Sequence, residues 1–267
     1  MQYAIIGFVI AVMTGKFFLS QIYNILFDSN MLQENFKGEK IPIGMGLFFI
    51  PSLIIFSMFF QSYNNDTDIN LILVGCILMA FVGYLDDSTV DKSNKGLKGH
   101  IKQLFKNKVT TGMLKALAGF GISLYISLSI SNSLQEIIIN TLLISLFTNF
   151  MNLWDLRPGR ATKVFILIAI IGFFLSISYT QYYFALFICL SLIYIKGDLT
   201  AKYMLGDTGS NLLGIFLGIC FAIDLGFYYK IALVVFFIVM HIFAEKVSFS
   251  KIIAKNKLLN KIDMMGR

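Results

Sequence analysis

The sequence predicts an all-α, polytopic integral membrane protein, and three observations carry that prediction. Of the 267 residues, 57% are hydrophobic and only 14% are charged, and the mean hydropathy is +0.76. A soluble domain of this length could not hide so much apolar surface. The apolar residues fall into separate stretches, and the positive charges fall between those stretches. Because every backbone polar group inside a bilayer must be satisfied within its own segment, the stretches are predicted to be helices.

Nine membrane spans are predicted, separated by short polar connections. They cover residues 3–26, 43–60, 69–85, 111–130, 135–150, 163–179, 181–196, 209–224 and 227–244. Several are shorter than the roughly 20 residues that a spanning helix prefers, so we expect these helices to tilt little or to end in a protein-lined cavity. No connection is long enough for a separate soluble domain. A single transmembrane domain is therefore predicted over residues 1–267.

The distribution of positive charge predicts the orientation. Nineteen of the 22 Lys and Arg residues lie in alternate connections, namely 27–42, 85–110, 149–163, 196–208 and 245–267. The positive-inside rule places these connections in the cytoplasm and the N-terminus outside. The net charge of +7 is thus attributed to orientation and to anionic lipid rather than to nucleic acid. In residues 248–267, lysines alternate with apolar residues, which predicts an amphipathic tail on the cytoplasmic surface.

The third span ends on two adjacent carboxylates, Asp86 and Asp87. Two like charges at a membrane boundary repel each other unless a positive group lies near them. A bound divalent cation is one such group. A chance pair of acids on a solvated loop is the alternative.

A row of polar residues follows the fifth span. Asn149, Asn152 and Asp155 are spaced three apart, so they share one face if the helix continues through them. Two amides and a carboxylate can chelate a cation or hydrogen-bond a nucleobase and a sugar. The alternative is a helix end that bonds to neighbouring loops.

A glycine turn with an acid precedes the eighth span. Asp207, Thr208 or Ser210 can cap the helix that is expected to begin near residue 209, and Gly206 lets backbone amides approach a ligand closely. The functional alternative is an anion, or its metal, at a helix N-terminus.

Lys115 lies about one turn inside the fourth span. An intramembrane lysine there can hold a phosphate, or it can snorkel to the interface.

These four motifs resemble those of a known family. In their order and their shared side, they are similar to the polyprenyl-phosphate N-acetylhexosamine-1-phosphate transferase superfamily (glycosyltransferase family 4), which includes phospho-N-acetylmuramoyl-pentapeptide transferases and undecaprenyl-phosphate GlcNAc-1-phosphate transferases. The matching pieces are 83–87, Lys115, the row from Asn149 to Asp155, and 206–210. The likeness extends over most of the chain, from about residue 42 to 245.

The resemblance implies a reaction, a cofactor and residue roles. The reaction is transfer of a sugar-1-phosphate from a UDP-sugar to undecaprenyl or another polyprenyl phosphate, with release of UMP, in cell-envelope glycan synthesis. Mg²⁺ is the expected cofactor, because it suits carboxylate, amide and phosphate oxygens. The expected catalytic residues are Asp86, Asp87 and Asp207; the expected metal ligands are Asp207, Asn152 and Asp155; the expected substrate-binding residues are Lys115, Asn149, Asn152, Asp155 and Gly206.

The chain also departs from the family. Members usually read Asp-Gly-Leu-Asp-Gly-Leu where residues 155–160 read Asp-Leu-Arg-Pro-Gly-Arg, so Pro158 replaces the second aspartate, and the late histidine cluster is absent. Arg157 and Arg160 can take over diphosphate contacts with their planar guanidinium groups. Two alternative functions stay open: a catalytically inactive scaffold protein of envelope assembly and an unrelated transporter. The oligomeric state stays open as well, with a homodimer as one candidate. The sugar also stays open, because the residues expected to read it lie in the divergent loop.

Overall fold

The computed structural model describes residues 2–62, 69–89 and 111–267. Eleven α-helices occur in these ranges, and nine of them correspond one to one with the predicted spans. The eleven are α1 (Gln2–Asp28), α2 (Phe49–Gln61), α3 (Ile69–Ser88), α4 (Thr111–Ile130), α5 (Leu134–Trp154), α6 (Arg160–Leu175), α7 (Thr180–Leu199), α8 (Gly206–Asp224), α9 (Phe227–Lys246), α10 (Phe249–Lys255) and α11 (Lys257–Met264).

The predicted class, an all-α multi-pass membrane protein, is confirmed. Within the described ranges, seven helices are long and apolar enough to cross a membrane: α1, α3, α4, α5, α7, α8 and α9. Helices α2 and α6 have 13 and 16 residues. Residues Met45–Phe48 form a 3-10 turn that leads into α2. The number of membrane crossings and the orientation stay predictions. Most of the basic connection 85–110 lies outside the described residues.

Helix α8 is the centre of the bundle. All but three of its 19 residues are buried, and α3 and α5 pack on two of its sides. Gly214 and Gly218 lie against the backbone of α5 at Thr148 and Ile144, where a Cβ atom would overlap that backbone. Small residues spaced four apart allow such close packing of membrane helices. This contact fixes the end of α5 beside the beginning of α8.

A short β-hairpin was not predicted. Strands β1 (Leu32–Glu34) and β2 (Lys40–Pro42) pair antiparallel between α1 and α2. The Asn35 side chain closes the turn by accepting hydrogen bonds from the backbone N–H groups of Lys37 and Glu39. The Met204 N–H donates to the Pro42 carbonyl at 2.8 Å. The hairpin is therefore attached to the connection between α7 and α8.

The C-terminal tail, residues 248–267, forms two helices rather than one. Asn256 separates α10 from α11, and its side chain accepts hydrogen bonds from the N–H groups of Leu258 and Leu259. Asparagine is favoured at such an N-cap, which explains the break. Phe249 of α10 stacks on Trp154 with ring centroids 5.4 Å apart and planes 7° from parallel. The tail is thus packed against the end of α5.

Candidate active site

A lysine and two carboxylates form the charged centre of the site. Lys115 Nζ lies 2.7 Å from Asp207 Oδ1 and 3.9 Å from Asp86 Oδ2. The carboxyl groups of Asp86 and Asp207 thus have the same ammonium group as a neighbour. Three helices bring these side chains together: the end of α3 and the beginnings of α4 and α8. The lysine supplies the positive charge that two neighbouring carboxylates need. We call these three residues the charged centre.

Asp87 has a different structural role from its neighbour Asp86. Its Oδ1 accepts a hydrogen bond from the N–H of Asp207 at 2.9 Å, and its Oδ2 accepts from the N–H and the hydroxyl of Thr208 at 2.9 and 2.7 Å. A carboxylate at a helix N-terminus satisfies unpaired N–H groups and complements the helix dipole. The expectation that α8 caps itself was wrong: the helix begins at Gly206, and its cap comes from α3.

Gly206 makes this cap possible. Its φ is +73°, in the left-handed region, and a Cβ atom there would collide with the Asp87 carboxylate. Glycine is the residue that adopts this conformation without strain. Gly206 therefore positions the first turn of α8, on which Asp207 is carried.

The polar row after the fifth span is only partly on one face. Helix α5 continues to Trp154, so Asn149 and Asn152 are helical, whereas Asp155 ends the helix with non-helical dihedral angles. Asn152 binds α8: its Nδ2 donates to Asn211 Oδ1 at 2.6 Å, and its Oδ1 accepts from the hydroxyl of Ser210. Asn149 is exposed. The three residues of the row therefore differ: Asn152 packs α5 on α8, Asn149 is exposed, and Asp155 lies at the end of the helix.

A cleft of about 380 Å³ opens beside the charged centre. The hairpin, the loop from Asp155 to Pro158 and the connection between α7 and α8 line it. Five acidic residues border the cleft: Glu34, Asp87, Asp155, Asp198 and Asp207. Burial raises the pKa of Asp155 well above its ordinary value, and the charges of Asp198, Asp207 and Asp87 raise that pKa further. A cleft with this concentration of negative charge favours cationic groups.

Asp198 also lines the cleft, although it was not among the predicted site residues. This residue is 5% exposed, and its Oδ2 accepts a hydrogen bond from the Thr162 hydroxyl at 2.6 Å. The available signal was an acid at the end of an apolar span, on the same side as the four motifs.

Arg157 and Arg160, the two arginines of the divergent segment 155–160, have different surroundings. Arg157 is exposed and lines the cleft, where a ligand could reach it. Arg160 is 5% exposed, and its Nε and Nη2 bind the two carboxylate oxygens of Asp263 at 2.7 and 2.8 Å. Its Nη1 donates to the Ser250 hydroxyl at 2.9 Å. These contacts favour a structural role for Arg160 over the expected diphosphate contact.

The oxygen-rich donors fit a magnesium ion only in part. In residues 2–62, 69–89 and 111–267, no three His, Cys, Asp or Glu side chains gather closely enough to hold a metal. The neighbouring carboxylates of Asp86 and Asp207 are donors of the type that Mg²⁺ prefers. Asn152, an expected ligand, is hydrogen-bonded to α8 instead. The pair that fits a cation is therefore Asp86 with Asp207.

The fold and the site define a multi-pass helical membrane protein with a lysine–carboxylate centre at one end of its bundle. The chain is 29% identical over 231 residues to the phospho-N-acetylmuramoyl-pentapeptide-transferase of Clostridium perfringens (strain 13 / Type A), covering 79% of this chain and 71% of that protein. It is 27% identical over 226 residues to the protein of the same name from Clostridium acetobutylicum, again covering 79% and 71%. No protein-family model matches the chain. The chain is a divergent homologue of these transferases, and the resemblance predicted from the four motifs is confirmed.

Proposed function

We propose that the protein transfers a sugar-1-phosphate from a UDP-sugar to a membrane polyprenyl phosphate, with release of UMP. The observation that carries the proposal is the charged centre, in which Lys115 Nζ lies 2.7 Å from Asp207 and 3.9 Å from Asp86 beside an open cleft. The similarity to phospho-sugar transferases of clostridia supports the same general reaction.

The chemistry explains why such a centre is useful. An oxygen of the lipid phosphate attacks the phosphorus that carries the sugar, a new P–O bond forms, and the bond to UMP breaks. Both reactants are anionic, so much of the barrier is charge repulsion, which fixed positive charge lowers. Lys115 supplies one such charge. When it is bound, Mg²⁺ supplies more positive charge at the diphosphate, and Asp86 and Asp207 are the residues that would hold it.

The remaining residues act by binding and orientation. Asp87 and Gly206 fix the first turn of α8, so that Asp207 faces Lys115. Arg157 lies on the cleft wall, where its guanidinium can bind the phosphates or the nucleotide. Asn152 holds the end of α5 on α8, beside Asp155. We place this single transferase domain in the cell membrane with the cleft on the cytoplasmic side, because the basic connections lie at that end.

A catalytically inactive scaffold is the second candidate. The observation that favours it is Pro158, which replaces the family's second aspartate and whose carbonyl accepts a hydrogen bond from Arg267 Nε at 2.9 Å. The segment around Pro158 therefore binds the C-terminal tail and carries no aspartate at this position.

One assay separates the two candidates. Purified protein is incubated with undecaprenyl phosphate, Mg²⁺ and a panel of UDP-sugars, and UMP release is measured. We expect release with at least one sugar, loss of release in Asp207→Asn, and unchanged release in Asp28→Asn. Asp28 is an exposed acid at the end of α1, so its substitution makes the same charge change outside the cleft. If no UDP-sugar gives UMP release, the transferase proposal is wrong and the scaffold remains as the candidate function.

A further inference from the structure

The outward surface of the tail combines apolar side chains with positive charge. Its apolar residues include Leu258 with 68% and Ile262 with 49% of the surface exposed. The tail contains a single acidic residue, Asp263, which is 8% exposed. The other exposed apolar residues of this surface are Leu259, Met264 and Met265, and its exposed lysines are Lys251, Lys255, Lys257 and Lys261. Asp263 is therefore absent from the outward surface, and the exposed charged side chains of that surface are all lysines.

The inward side of the tail is held by a clamp around Asp263. The Asp263 carboxylate binds Arg160 through both oxygens, and Arg267 Nη2 lies 3.1 Å from Asp263 Oδ1. Lys163 Nζ donates to the Asp263 carbonyl at 2.8 Å, and Arg267 Nε donates to the Pro158 carbonyl. This Asp263 clamp joins the tail to the beginning of α6 and to the loop that lines the cleft.

The position of the tail indicates what its outward surface meets. Helix α9 is one of the helices long enough to cross a membrane, and it ends at Lys246. The tail begins two residues later, so it starts at the boundary of the bilayer. An amphipathic helix with lysines beside its apolar residues suits an interface of anionic headgroups, to which each lysine adds about 1 kcal/mol of attraction.

We propose that residues 248–267 bind anionic lipid headgroups on the bilayer that the helices span, and that the Asp263 clamp passes this anchoring on to the loop at the cleft. The lipid contact does not depend on the proposed transferase activity. A protein that releases no UMP but still binds lipid in this way would leave the inference standing, so the two proposals can fail separately.

Hydrogen exchange on the full-length protein tests the lipid contact. The protein is reconstituted into nanodiscs of phosphatidylcholine alone, or of phosphatidylcholine with phosphatidylglycerol, and the exchange of tail amides is compared. We expect slower exchange in α11 with phosphatidylglycerol, and loss of this protection in Lys257→Gln/Lys261→Gln. At about 1 kcal/mol for each lysine, the two substitutions together lower the protection about 30-fold. High salt should weaken the protection as well, because it screens exposed charges.

Lys202→Gln is the matched control. Lys202 is an exposed lysine in the connection between α7 and α8, at the same end of the bundle but outside the tail. We expect this variant to keep the wild-type protection. Equal exchange in the two lipid compositions, or an equal loss of protection in Lys202→Gln, would overturn the proposal. Protection that instead rises with protein concentration would identify a second copy of the chain as the partner and would overturn it too.

The fluorescence of Trp154 tests whether the Asp263 clamp links the tail to the loop at the cleft. Trp154 is the single tryptophan of the chain, and it stacks on Phe249 of the tail. We expect its emission to differ between the two lipid compositions in the wild-type protein, and this difference to be lost in Lys257→Gln/Lys261→Gln and in Asp263→Asn. The exchanged pair Arg160→Asp/Asp263→Arg restores the contact and should keep the difference. Wild-type emission that is the same in both lipid compositions, or a difference that persists in folded Asp263→Asn, would contradict the transmission to the loop.

Discussion

Two ion-pair clusters at the same end of the bundle differ in the exposure of their side chains and in the geometry of their ion pairs. The charged centre has one lysine for two acids, side chains between 18% and 29% exposed, and one short contact beside a long one. The Asp263 clamp has two arginines for one acid, with Arg160 and Asp263 side chains 6% and 8% exposed and two parallel hydrogen bonds between them. In the clamp, both carboxylate oxygens of Asp263 are buried and bonded to guanidinium groups, which leaves no room for a ligand. The charged centre is more exposed and borders the cleft, and this difference separates the candidate site from its support.

The largest expected effect is on activity at the charged centre. Lys115→Met removes the positive charge from beside Asp86 and Asp207, and the loss of one preorganised electrostatic group lowers kcat by about 100- to 1,000-fold. UMP release under saturating substrates measures this loss. Lys115→Arg keeps the charge and should recover part of the rate. A Lys115→Met variant within threefold of the wild-type rate would show that the lysine has no part in the reaction.

The next largest effect is on stability at the clamp. Asp263→Ala leaves Arg160 buried without its partner, and breaking a buried pair in this way costs about 3–5 kcal/mol. Thermal unfolding in detergent should show the loss. The double variant Arg160→Met/Asp263→Met should recover much of it, because an apolar pair leaves no buried charge. A double variant as unstable as the single one would mean that the clamp stabilises through something other than its charges.

A smaller effect is expected at the rim of the cleft. Arg157→Gln removes an exposed guanidinium, and we expect KM for the nucleotide sugar to rise about tenfold, or about 1.4 kcal/mol, with little change in kcat. Initial rates over a range of nucleotide-sugar concentrations measure both constants. Lys37→Gln, an exposed cation on the hairpin turn outside the lining of the cleft, is the control. Equal effects of the two substitutions would indicate general charge attraction instead.

The smallest expected effect is a pH dependence of stability. Burial alone would raise the pKa of Asp263, but the hydrogen bond and charge of Arg160, aided by Arg267, outweigh it and lower that pKa. The carboxylate therefore contributes stability above the pKa of an unfolded aspartate, about 3.9, and this stability is lost as the pH falls through the lower folded value.

The pKa of Asp155 is shifted the other way. The stability that its protonated carboxyl contributes is present below about pH 3.9 and is lost as the pH rises through the raised folded value. Unfolding temperatures from acid to neutral pH should therefore show a smaller acid loss in Asp263→Asn, and a gain toward neutral pH in Asp155→Asn. Parallel profiles for the two variants would contradict the contrast between the regions.

The helices and the meeting of the motifs could be predicted, because both depend on local patterns. Apolar stretches define the helices, and the alternation of positive charge puts Asp86, Lys115, Asn152 and Asp207 at one end. The short distance between Lys115 and Asp207, 92 positions apart, follows from how α4 and α8 pack. Sequence could place these residues on one side but could not say which ones touch.

The features that were missed either are too short to leave a periodic pattern or depend on non-local pairing. The hairpin has three-residue strands, too short for a periodic signal. Arg160 and Asp263 are 103 positions apart, and nothing in either segment indicates the other. The cap of α8 by Asp87 is similar, since capping motifs are sought within a few residues of the helix they cap. The roles of the site residues in catalysis stay predictions.

The most direct test compares one acid from each cluster. UMP release is measured for Asp207→Asn and Asp263→Asn in the same preparation, with undecaprenyl phosphate, Mg²⁺ and the UDP-sugar that the wild-type protein uses, and is normalised to folded protein. We predict that Asp207→Asn loses at least about 100-fold in rate, whereas folded Asp263→Asn stays within tenfold of the wild type. An Asp207→Asn variant as active as folded Asp263→Asn would contradict the assignment of the charged centre as the active site.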